Sequence, residues 1–356
     1  MDESKFVNDT HSFEKKGLEK KLKGISEATS SVFTGLHSFK ELSSLFEGKF
    51  NIRHFPEYPK SLYDASQYIL TLGGKRIRPV MCLMGNELFD EINPDAWHIA
   101  NAIELFHNFT LIHDDIMDKA PVRRGMQTVH TKYGESTALL SGDVMLVAAY
   151  DSINKINNEH IHKVLEIFNQ TARHVCEGQQ LDMDFETNAN VSFDDYGKMI
   201  QLKTSVLLAA SLQLGAVLGG AGVGNQQHLY EFGKNLGIAF QVQDDYLDAF
   251  GDPEKFGKKH GGDIIANKKT FLLIQAMHAC SEAQLEELHQ LLRNNDDDKI
   301  QKIISIYKSC NVDEWAKELK QKYMSKALEH LEEIAVLSAR KKPLEVLAHY
   351  LLDREM

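Results

Sequence analysis

Two short acidic stretches contain the residues best suited to chemistry. One reads LIHDDIMD over residues 111–118, and the other reads FQVQDDYLD over residues 240–248. Each places three aspartates at positions i, i+1 and i+4 inside an otherwise apolar run that is typical of a helix. We name these sets the first acidic motif (Asp114, Asp115 and Asp118) and the second acidic motif (Asp244, Asp245 and Asp248).

In each motif the first and last aspartates lie one helical turn apart on the same face. Like charges at this spacing destabilise an isolated helix, so two copies of the arrangement suggest that a cation offsets them. Carboxylate oxygens on separate rigid supports, with positions left open for water and phosphate, suit Mg²⁺. The motifs therefore predict a pair of facing acidic helices that hold a diphosphate through Mg²⁺.

Basic residues accompany both motifs along the chain. Residues 75–79 (KRIRP) follow a glycine pair, and the proline suits the first turn of a helix, so the cluster lies at a helix N-terminus that favours anions. Arg123 and Arg124 follow the first motif, where two guanidinium forks could grip two diphosphates. The loop after the second motif carries Lys258 and Lys268 and predicts a lid over phosphate. Taken alone, each cluster is also compatible with a solvated turn.

Further polar residues lie in register with the motifs. His107 precedes Asp114 by seven residues, so it lies two turns away on the same face. A lone histidine in this position is often a partly buried structural residue, and its alignment with the acidic face makes a role in the site an equal alternative. Gln179, Gln180 and Asp182 lie late in another predicted helix and could face the same cavity.

The composition predicts an all-helical protein with a large core. The chain has 356 residues, 43% of them apolar, and its 7 prolines fall at plausible ends of helical segments. Alternating β-branched runs of the kind that form strands are nearly absent. An uncharged run over residues 205–224 is long enough to span a membrane, but its glycines and polar residues favour a buried core helix.

Net charge and cysteine usage restrict the function further. The formal charge of −11 argues against nucleic-acid binding, and it means that a polyanionic substrate would need metal ions and locally concentrated Lys and Arg. The 4 cysteines are scattered without metal-type pairing, which favours a reduced, cytoplasmic protein. No secretory signal is visible, and residues 1–48 read as a flexible or loosely helical extension before a main domain at residues 49–356.

Taken together, the motifs resemble those of the trans-isoprenyl diphosphate synthases, the polyprenyl synthetase family. The resemblance implies the isoprenoid synthase fold, an all-α, single-domain bundle of about ten or more helices around a central cavity. Two departures stand out: Asn267 occupies a position where the family usually has glycine, and residues 1–48 have no counterpart in the family core. The match runs from Gly73 to about Arg354 and includes both acidic motifs, residues 74–79, His107, residues 123–125, residues 178–182 (GQQLD), Lys203-Thr204 and the loop with Lys258 and Lys268.

The resemblance implies an activity and a role for each matching residue. In this family isopentenyl diphosphate is condensed head to tail with dimethylallyl, geranyl or farnesyl diphosphate, diphosphate is released, and about three Mg²⁺ ions bind with the allylic diphosphate. The metal ligands would be Asp114, Asp115, Asp118, Asp244 and Asp248. Arg123, Lys203 and Lys258 would contact the allylic diphosphate, Thr204, Gln241 and Lys268 would lie near the developing cation, and Lys75, Arg78, His107 and Arg124 would hold isopentenyl diphosphate.

Product length depends on fewer residues. Phe109, five positions before Asp114, is bulky and would form the floor of the cavity into which the product grows, with Phe106 beside it. This pattern resembles enzymes that stop at C15 to C20, although both rings could instead only pack between helices. The competing hypotheses for the function are a longer-chain synthase, a non-catalytic subunit of a heteromeric synthase, a terpene cyclase and a Ca²⁺-binding helical protein. The resemblance also implies a homodimer.

Overall fold

The computed structural model describes residues 35–188, 190–251, 261–294 and 298–352, and these residues are mostly helical. In these ranges the only strands form a two-residue hairpin, β1 (Val122–Arg123) with β2 (Met126–Gln127). The predicted all-α class is confirmed. The helices are α1 (Phe39–Phe50), α2 (Lys60–Thr71), α3 (Ile77–Glu87), α4 (Pro94–Met117), α5 (Val129–Tyr133), α6 (Glu135–Ile153), α7 (Asn158–Thr187), α8 (Phe193–Ile200), α9 (Val206–Leu218), α10 (Val223–Phe250), α11 (Gly262–Ile265), α12 (Phe271–Ala279), α13 (Glu282–Arg293), α14 (Lys299–Ser309), α15 (Val312–Glu332) and α16 (Ser338–Leu352).

The two acidic motifs lie on α4 and α10, two of the longest helices. Asn93 caps the start of α4, because its side chain accepts a hydrogen bond from the backbone N–H of Asp95 at 2.9 Å, and Pro94 occupies the first turn. α4 packs against α3 and α6, whereas α10 packs against α15. The helix α9 contacts both α4 and α10 and so connects the two acidic helices.

Helix α9 is the buried core helix that the sequence predicts. All of its residues except Gln213 are buried. Small residues allow α3 and α9 to cross backbone to backbone: a Cβ atom on Gly215 would lie 1.9 Å from the carbonyl oxygen of Cys82. Among the described helices, the run from Phe193 to Leu218 is the one long and apolar enough to cross a membrane by length and composition, yet 78% of its apolar window is buried in the protein.

The buried apolar side chains form two clusters. The first core is built mainly from α1 to α4, α6, α7, α9 and the first part of α10. The second core is built from α8, the later part of α10 and α11 to α15, and it surrounds the second acidic motif. Each motif is therefore supported by a different set of helices.

The N-terminal part of the described chain belongs to the first core. Helix α1 begins with a capping box in which Ser38 and Glu41 exchange hydrogen bonds, and Leu42, Phe46 and Phe50 are buried. The division after residue 48 falls inside this helix. We therefore correct the sequence-based expectation for residues 39–48, which are an ordered part of the main unit because they carry its apolar side chains; residues 1–34 lie outside the described ranges.

Candidate active site

The first acidic motif lies at the C-terminal end of α4, where its three aspartates differ in exposure. Asp114 is half-buried, Asp118 is exposed and Asp115 is buried. The guanidinium of Arg123 grips Asp115: Nε lies 3.0 and 2.9 Å from the two carboxylate oxygens, and Nη2 lies 2.8 Å from Oδ1. Burial raises the pKa of Asp114, the nearby Lys203 opposes that rise, and Asp118 adds to it. Asp114 and Asp118 thus form the accessible pair, as the helical spacing predicts.

The second acidic motif lies in the last turns of α10. Its middle residue, Asp245, is only 2% exposed and accepts hydrogen bonds from Gln241 Nε2 at 2.8 Å, the Tyr196 hydroxyl at 3.2 Å and the backbone N–H of Phe271 at 3.3 Å. Burial raises the pKa of Asp245 to about 8 despite these bonds. The carboxylate of Asp248 accepts a hydrogen bond from the backbone N–H of Asp263 at 3.0 Å.

Lys203 and Thr204 lie on a π-helical segment, Gln201–Ser205, that joins α8 to α9. The backbone N–H of Val206 donates to the carbonyl of Gln201, five residues earlier, so the turn is wider than an α-turn. Helix α7 crosses this turn closely, because a Cβ atom on Gly178 would lie 2.3 Å from the backbone nitrogen of Lys203. Such widened turns occur often at functional sites.

The Lys203 ammonium group lies among carboxylates. Its Nζ is 2.6 Å from Asp182 Oδ2 on α7. Burial lowers the pKa of Lys203, but the carboxylates of Asp182, Asp114 and Asp118 outweigh burial, so the net pKa is raised. Lys203 therefore stays cationic beside the accessible pair of the first motif. The sequence placed Asp182 near the cavity without assigning it a role, and its pairing with Lys203 could not be read from spacing alone.

The basic residues around the start of α3 form a second group, which contacts Glu104 and His107 of α4. Arg76 is buried and pairs with Glu104, while Arg78 Nη1 lies 3.1 Å from His107 Nε2. Burial and the neighbouring arginines hold the pKa of His107 well below its usual range, so the ring is neutral and its Nε2 accepts from Arg78. Lys75 precedes these residues in the exposed turn before α3.

The paired arginines after the first motif diverge. Arg124 and Gly125 form the two-residue turn of the hairpin, with φ angles of 52° and 77° that suit such a turn. Arg123 therefore turns towards Asp115, whereas Arg124 Nη1 donates to the carbonyl of Gly73, next to the basic group near α3. The predicted pair of adjacent anion forks is thus divided between two places.

The loop after α10 is described only in part, and Lys258 lies outside the described residues. Lys268 is exposed and lines a narrow cleft together with Asp245, Asp248 and Tyr307. Asn267, where the family usually has glycine, adopts φ 53°, which asparagine tolerates better than most residues. Its Oδ1 accepts a hydrogen bond from Lys299 Nζ at 2.8 Å. The positive φ before Lys268 is therefore a conformation that glycine or asparagine can adopt.

The acidic residues fit Mg²⁺ by donor type. Within the described part of the chain, no three His, Cys, Asp or Glu side chains converge on one point as a complete metal cage. Mg²⁺ is usually held by one or two carboxylates, waters and substrate phosphates rather than by an all-protein cage. The accessible oxygens of Asp114 and Asp118 match this pattern, and the burial that raises the pKa of Asp114 would be offset by a bound cation.

Phe109 lies on α4 between aromatic neighbours. Its ring centroid is 5.6 Å from Phe106 and 4.7 Å from His113, and Phe106 stacks edge-on against Phe168 of α7 at 5.2 Å. His113 is held in turn by close packing of α6, since a Cβ atom on Gly142 would lie 2.3 Å from its Nε2. Phe109 is thus part of a wall of packed rings.

Comparison with known proteins identifies the relatives of this chain. Residues 59–310 match the family described as polyprenyl synthetase. The chain belongs to the polyprenyl synthetase family. The resemblance drawn from the motifs is confirmed, and with it the predicted enzyme class, a prenyltransferase. The isoprenoid synthase fold is confirmed by solved structures of similar fold.

Three relatives illustrate the match. A short chain isoprenyl diphosphate synthase of Methanothermobacter thermautotrophicus is 37% identical over 298 residues, which cover 83% of this chain and 91% of that protein. A geranylgeranyl diphosphate synthase of Methanosarcina mazei is 36% identical over 307 residues, again covering 83% and 91%. A crystal structure of geranylgeranyl pyrophosphate synthase from Pyrococcus horikoshii superposes with a TM-score of 0.83 at 33% identity and covers 89% of this chain and 98% of that one.

Proposed function

We propose that this protein condenses isopentenyl diphosphate head to tail with an allylic diphosphate, dimethylallyl, geranyl or farnesyl, and releases diphosphate in a Mg²⁺-dependent reaction. The observation that carries the proposal is the position of Lys203, a cation whose pKa is raised by Asp182, Asp114 and Asp118 on two other helices. A polyanion entering this place meets a fixed positive charge beside carboxylates that can bind metal. A terpene cyclase or a Ca²⁺-binding protein would not need the second basic group near α3, because neither binds a second diphosphate.

The allylic diphosphate would bind between the two motifs. Asp114 and Asp118 from one side, and Asp244 and Asp248 from the other, would hold Mg²⁺, which neutralises the charge that builds on the leaving diphosphate. Lys203 would add a direct contact to the same diphosphate, and Asp115 would orient Arg123 towards it. The chain supplies positioning and charge, and the departing diphosphate is a base able to take the proton released in the condensation.

Isopentenyl diphosphate would bind the basic group near α3. Lys75, Arg78 and Arg124 supply positive charge there, and neutral His107 receives a hydrogen bond from Arg78. Because the ring is uncharged, His107 positions the guanidinium without repelling it. Thr204, Gln241 and the lysines at 258 and 268 would line the allylic side, where the lysine-bearing loop would exclude water from the cation.

We propose products of C15 to C20. The packed rings of Phe106, Phe109 and Phe168 form a wall one to two turns before the first motif, where a growing chain would meet it. The relatives named above include a geranylgeranyl diphosphate synthase, which is in accord with this range. Replacing Phe109 with alanine should lengthen the product while leaving the first condensation intact. An unchanged product distribution in Phe109→Ala would contradict the assignment of the floor.

A homodimer is proposed from an apolar surface on α6. Four large apolar side chains on this helix expose 37–59% of their surface: Leu139, Leu140, Val147 and Tyr150. An exposed group of apolar side chains often marks a protein–protein contact. A helix that is apolar on every side usually packs on every side. Leu140→Glu should convert the dimer to a monomer in light scattering after size exclusion, and a wild-type monomer would refute the proposal.

We place the enzyme in the cytoplasm, in accord with its four unlinked cysteines.

Product analysis tests the whole proposal. Purified full-length protein is incubated with Mg²⁺, labelled isopentenyl diphosphate and each allylic primer in turn, and a matched reaction contains excess EDTA. We expect C15 to C20 products that disappear with EDTA and return when Mg²⁺ is restored. Products of C30 or longer would support the condensation reaction but contradict the assignment of Phe109 as the floor of the product cavity. No condensation by folded protein with any primer would overturn the proposal in favour of a non-catalytic subunit.

A further inference from the structure

Two cysteines that are far apart in sequence meet at the edge of the second core. Cys280 directly follows α12 and Cys310 directly follows α14, and their Sγ atoms are 3.1 Å apart. Both are partly exposed, so small molecules in solution can reach them. The other two cysteines differ: Cys82 is buried in the first core, and Cys176 is exposed on α7. None of the proposed roles in condensation involves the pair.

We propose that Cys280 and Cys310 are a reversible disulfide-forming site that links the end of α12 to the end of α14. A disulfide places its two sulfur atoms about 2.05 Å apart, so the link requires an approach of only about one ångström. We expect rotation about the Cα–Cβ bonds of the two residues to supply this movement without displacing either helix. The site would therefore form within the folded protein rather than through unfolding.

Neighbouring side chains hold the two helix ends in this position. Ser281 starts α13 in a capping box with Gln284, whose side chain accepts from the Ser281 hydroxyl at 2.8 Å. The amide of Gln284 donates to the hydroxyl of Ser309 at 2.9 Å, and that hydroxyl donates to the carbonyl of Ile306 at 2.8 Å. The residue after Cys280 and the residue before Cys310 are thus joined by hydrogen bonds. This connection fixes the thiols opposite each other.

The oxidation balances with a low-molecular-weight disulfide as oxidant. One cysteine loses its proton, attacks a sulfur of the small disulfide, breaks its S–S bond and releases one thiolate. The other cysteine then loses its proton, attacks the protein sulfur of the mixed disulfide and releases the second thiolate. Two protein thiols are oxidised by two electrons in total, and the oxidant is reduced to two thiols. A dithiol reductant reverses both steps.

The acidity of the Cys280 thiol affects how fast the pair reacts. Burial and the contact with Cys310 raise the pKa of the Cys280 thiol to about 12, so its thiolate is scarce near neutral pH. We expect slow oxidation at pH 7 and faster oxidation as pH rises. The pair would accordingly respond to sustained exposure to a disulfide rather than to a brief one.

The link would restrain one wall of the cleft beside the second acidic motif. It closes a loop from residue 280 to residue 310 that contains α13 and α14. Tyr307, three residues before Cys310, lines the cleft that also contains Asp245, Asp248 and Lys268. Crosslinks that close long loops stabilise a protein by restricting its unfolded chain. Oxidation is therefore expected to raise the melting temperature by a few degrees.

The test treats full-length protein with oxidised glutathione at pH 8 and then maps its peptides by mass spectrometry without reduction. We expect a crosslinked peptide pair containing Cys280 and Cys310, a mass loss of two hydrogen atoms, a raised melting temperature and full reversal by dithiothreitol. Cys176→Ser is the matched control and should retain all four results. Cys280→Ser and Cys310→Ser should each abolish the crosslink and the rise in melting temperature.

The proposal is overturned if oxidation yields only glutathione adducts, or only dimers linked through Cys176, with no peptide pair joining residues 280 and 310. The map of the unmodified protein decides the question even if a serine variant does not fold. Neither readout depends on condensation activity, so a failure here is distinguishable from a failure of the proposed function.

Discussion

The two acidic motifs share one spacing but differ at the middle aspartate. In the first motif, Asp115 is paired with the charged fork of Arg123. In the second, Asp245 is surrounded by neutral hydrogen-bond donors, and burial raises its pKa to about 8. The same spacing of three aspartates therefore places an ion-paired carboxylate on α4. On α10 it places a carboxyl group that is largely protonated at neutral pH. A motif in sequence fixes where an aspartate stands, whereas its neighbours decide its charge.

This difference separates two tasks within each motif. The first and last aspartates are exposed or half-buried, and in the proposed function they would hold Mg²⁺. The middle aspartate points into the protein and holds something else in place: Asp115 holds Arg123, and Asp245 joins α10 to α8 and to the start of α12. The following experiments test this division of tasks, beginning with the largest expected effect.

Removing an outer aspartate from either motif should have the largest effect. Asp114→Ala and Asp244→Ala should each lower the rate of condensation by at least about a hundredfold, because charge on the leaving diphosphate loses its metal-mediated stabilisation. Initial rates with saturating substrates and Mg²⁺ measure this, with circular dichroism as the check on folding. If Asp114→Ala stays within a few-fold of wild type, the metal assignment of the first motif is wrong.

The middle aspartates should respond differently to the same substitution. Asp115→Asn leaves the Arg123 guanidinium without its anionic partner, and we expect a loss of about tenfold in kcat/KM, as is typical of residues that orient a binding group. Asp245→Asn replaces a mostly protonated carboxyl group by a neutral amide of the same shape, and the Gln241 amide can rotate to accept from it. Its activity at pH 7 should stay close to wild type.

Steady-state kinetics of both variants under one set of conditions make this comparison. Equal losses in Asp115→Asn and Asp245→Asn would contradict the difference between the two middle positions. Arg123→Lys adds a further control, since lysine keeps the charge but cannot form the fork on Asp115. It should resemble Asp115→Asn rather than wild type.

The crossing of α7 over the π-helical segment should be sensitive to a single methyl group. Gly178→Ala would place a Cβ atom 2.3 Å from the backbone nitrogen of Lys203, so one backbone must move. We expect a loss of about 1–3 kcal/mol in the free energy of unfolding and a lower rate, because Lys203 moves with its backbone. Gly197→Ala, on α8 with nothing within 4 Å, is the matched control. Urea denaturation measures both, and equal stabilities would refute the steric argument.

The last prediction concerns pH. The pKa of Asp245 rises from an ordinary value of 3.8 to about 8 on folding, so between these values the folded protein binds more protons than the unfolded chain. Its contribution to stability is complete below pH 3.8 and is lost as pH rises towards 8. Asp245→Asn should flatten this decline by up to about 1.4 kcal/mol per pH unit. Urea denaturation from pH 5 to pH 8 tests this, and parallel pH profiles would contradict the shifted pKa.

The helices were largely predictable from sequence, because their signals are local. Asn93 and Pro94 mark the start of α4 and Ser192 caps α8, and signals of this kind can be read from the sequence alone. Helix α1 was placed outside the main domain although its signals were present: Ser38 and Glu41 have the spacing of a capping box, and apolar residues follow at helical intervals. The polar, lysine-rich residues before it concealed these signals.

The candidate site was predictable in its residues but only partly in its contacts. Spacing on one helix predicts that Asp114 and Asp118 project together, since both lie on α4 or at its C-terminal cap. Two of the three partners of Asp245 come from α8 and α12, and the partner of Lys203 comes from α7, so these contacts depend on tertiary packing. Propensity also gives no signal for a π-helical turn, which persists because α7 and α10 pack against it.

That π-helical segment has a consequence for the whole chain. The helix before it, α8, contributes Tyr196, Met199 and Ile200 to the second core, whereas the helix after it belongs to the first core. One additional residue in the turn rotates everything downstream by about 100° relative to an unbroken α-helix. The extra residue thus changes the direction in which the apolar side chains point along one continuous helical stretch. Those of α8 point into the second core, and those of α9 point into the first core. Deleting one residue between 201 and 205 would rotate α9 relative to α8, so that the apolar residues of the two helices could no longer face their two cores at the same time.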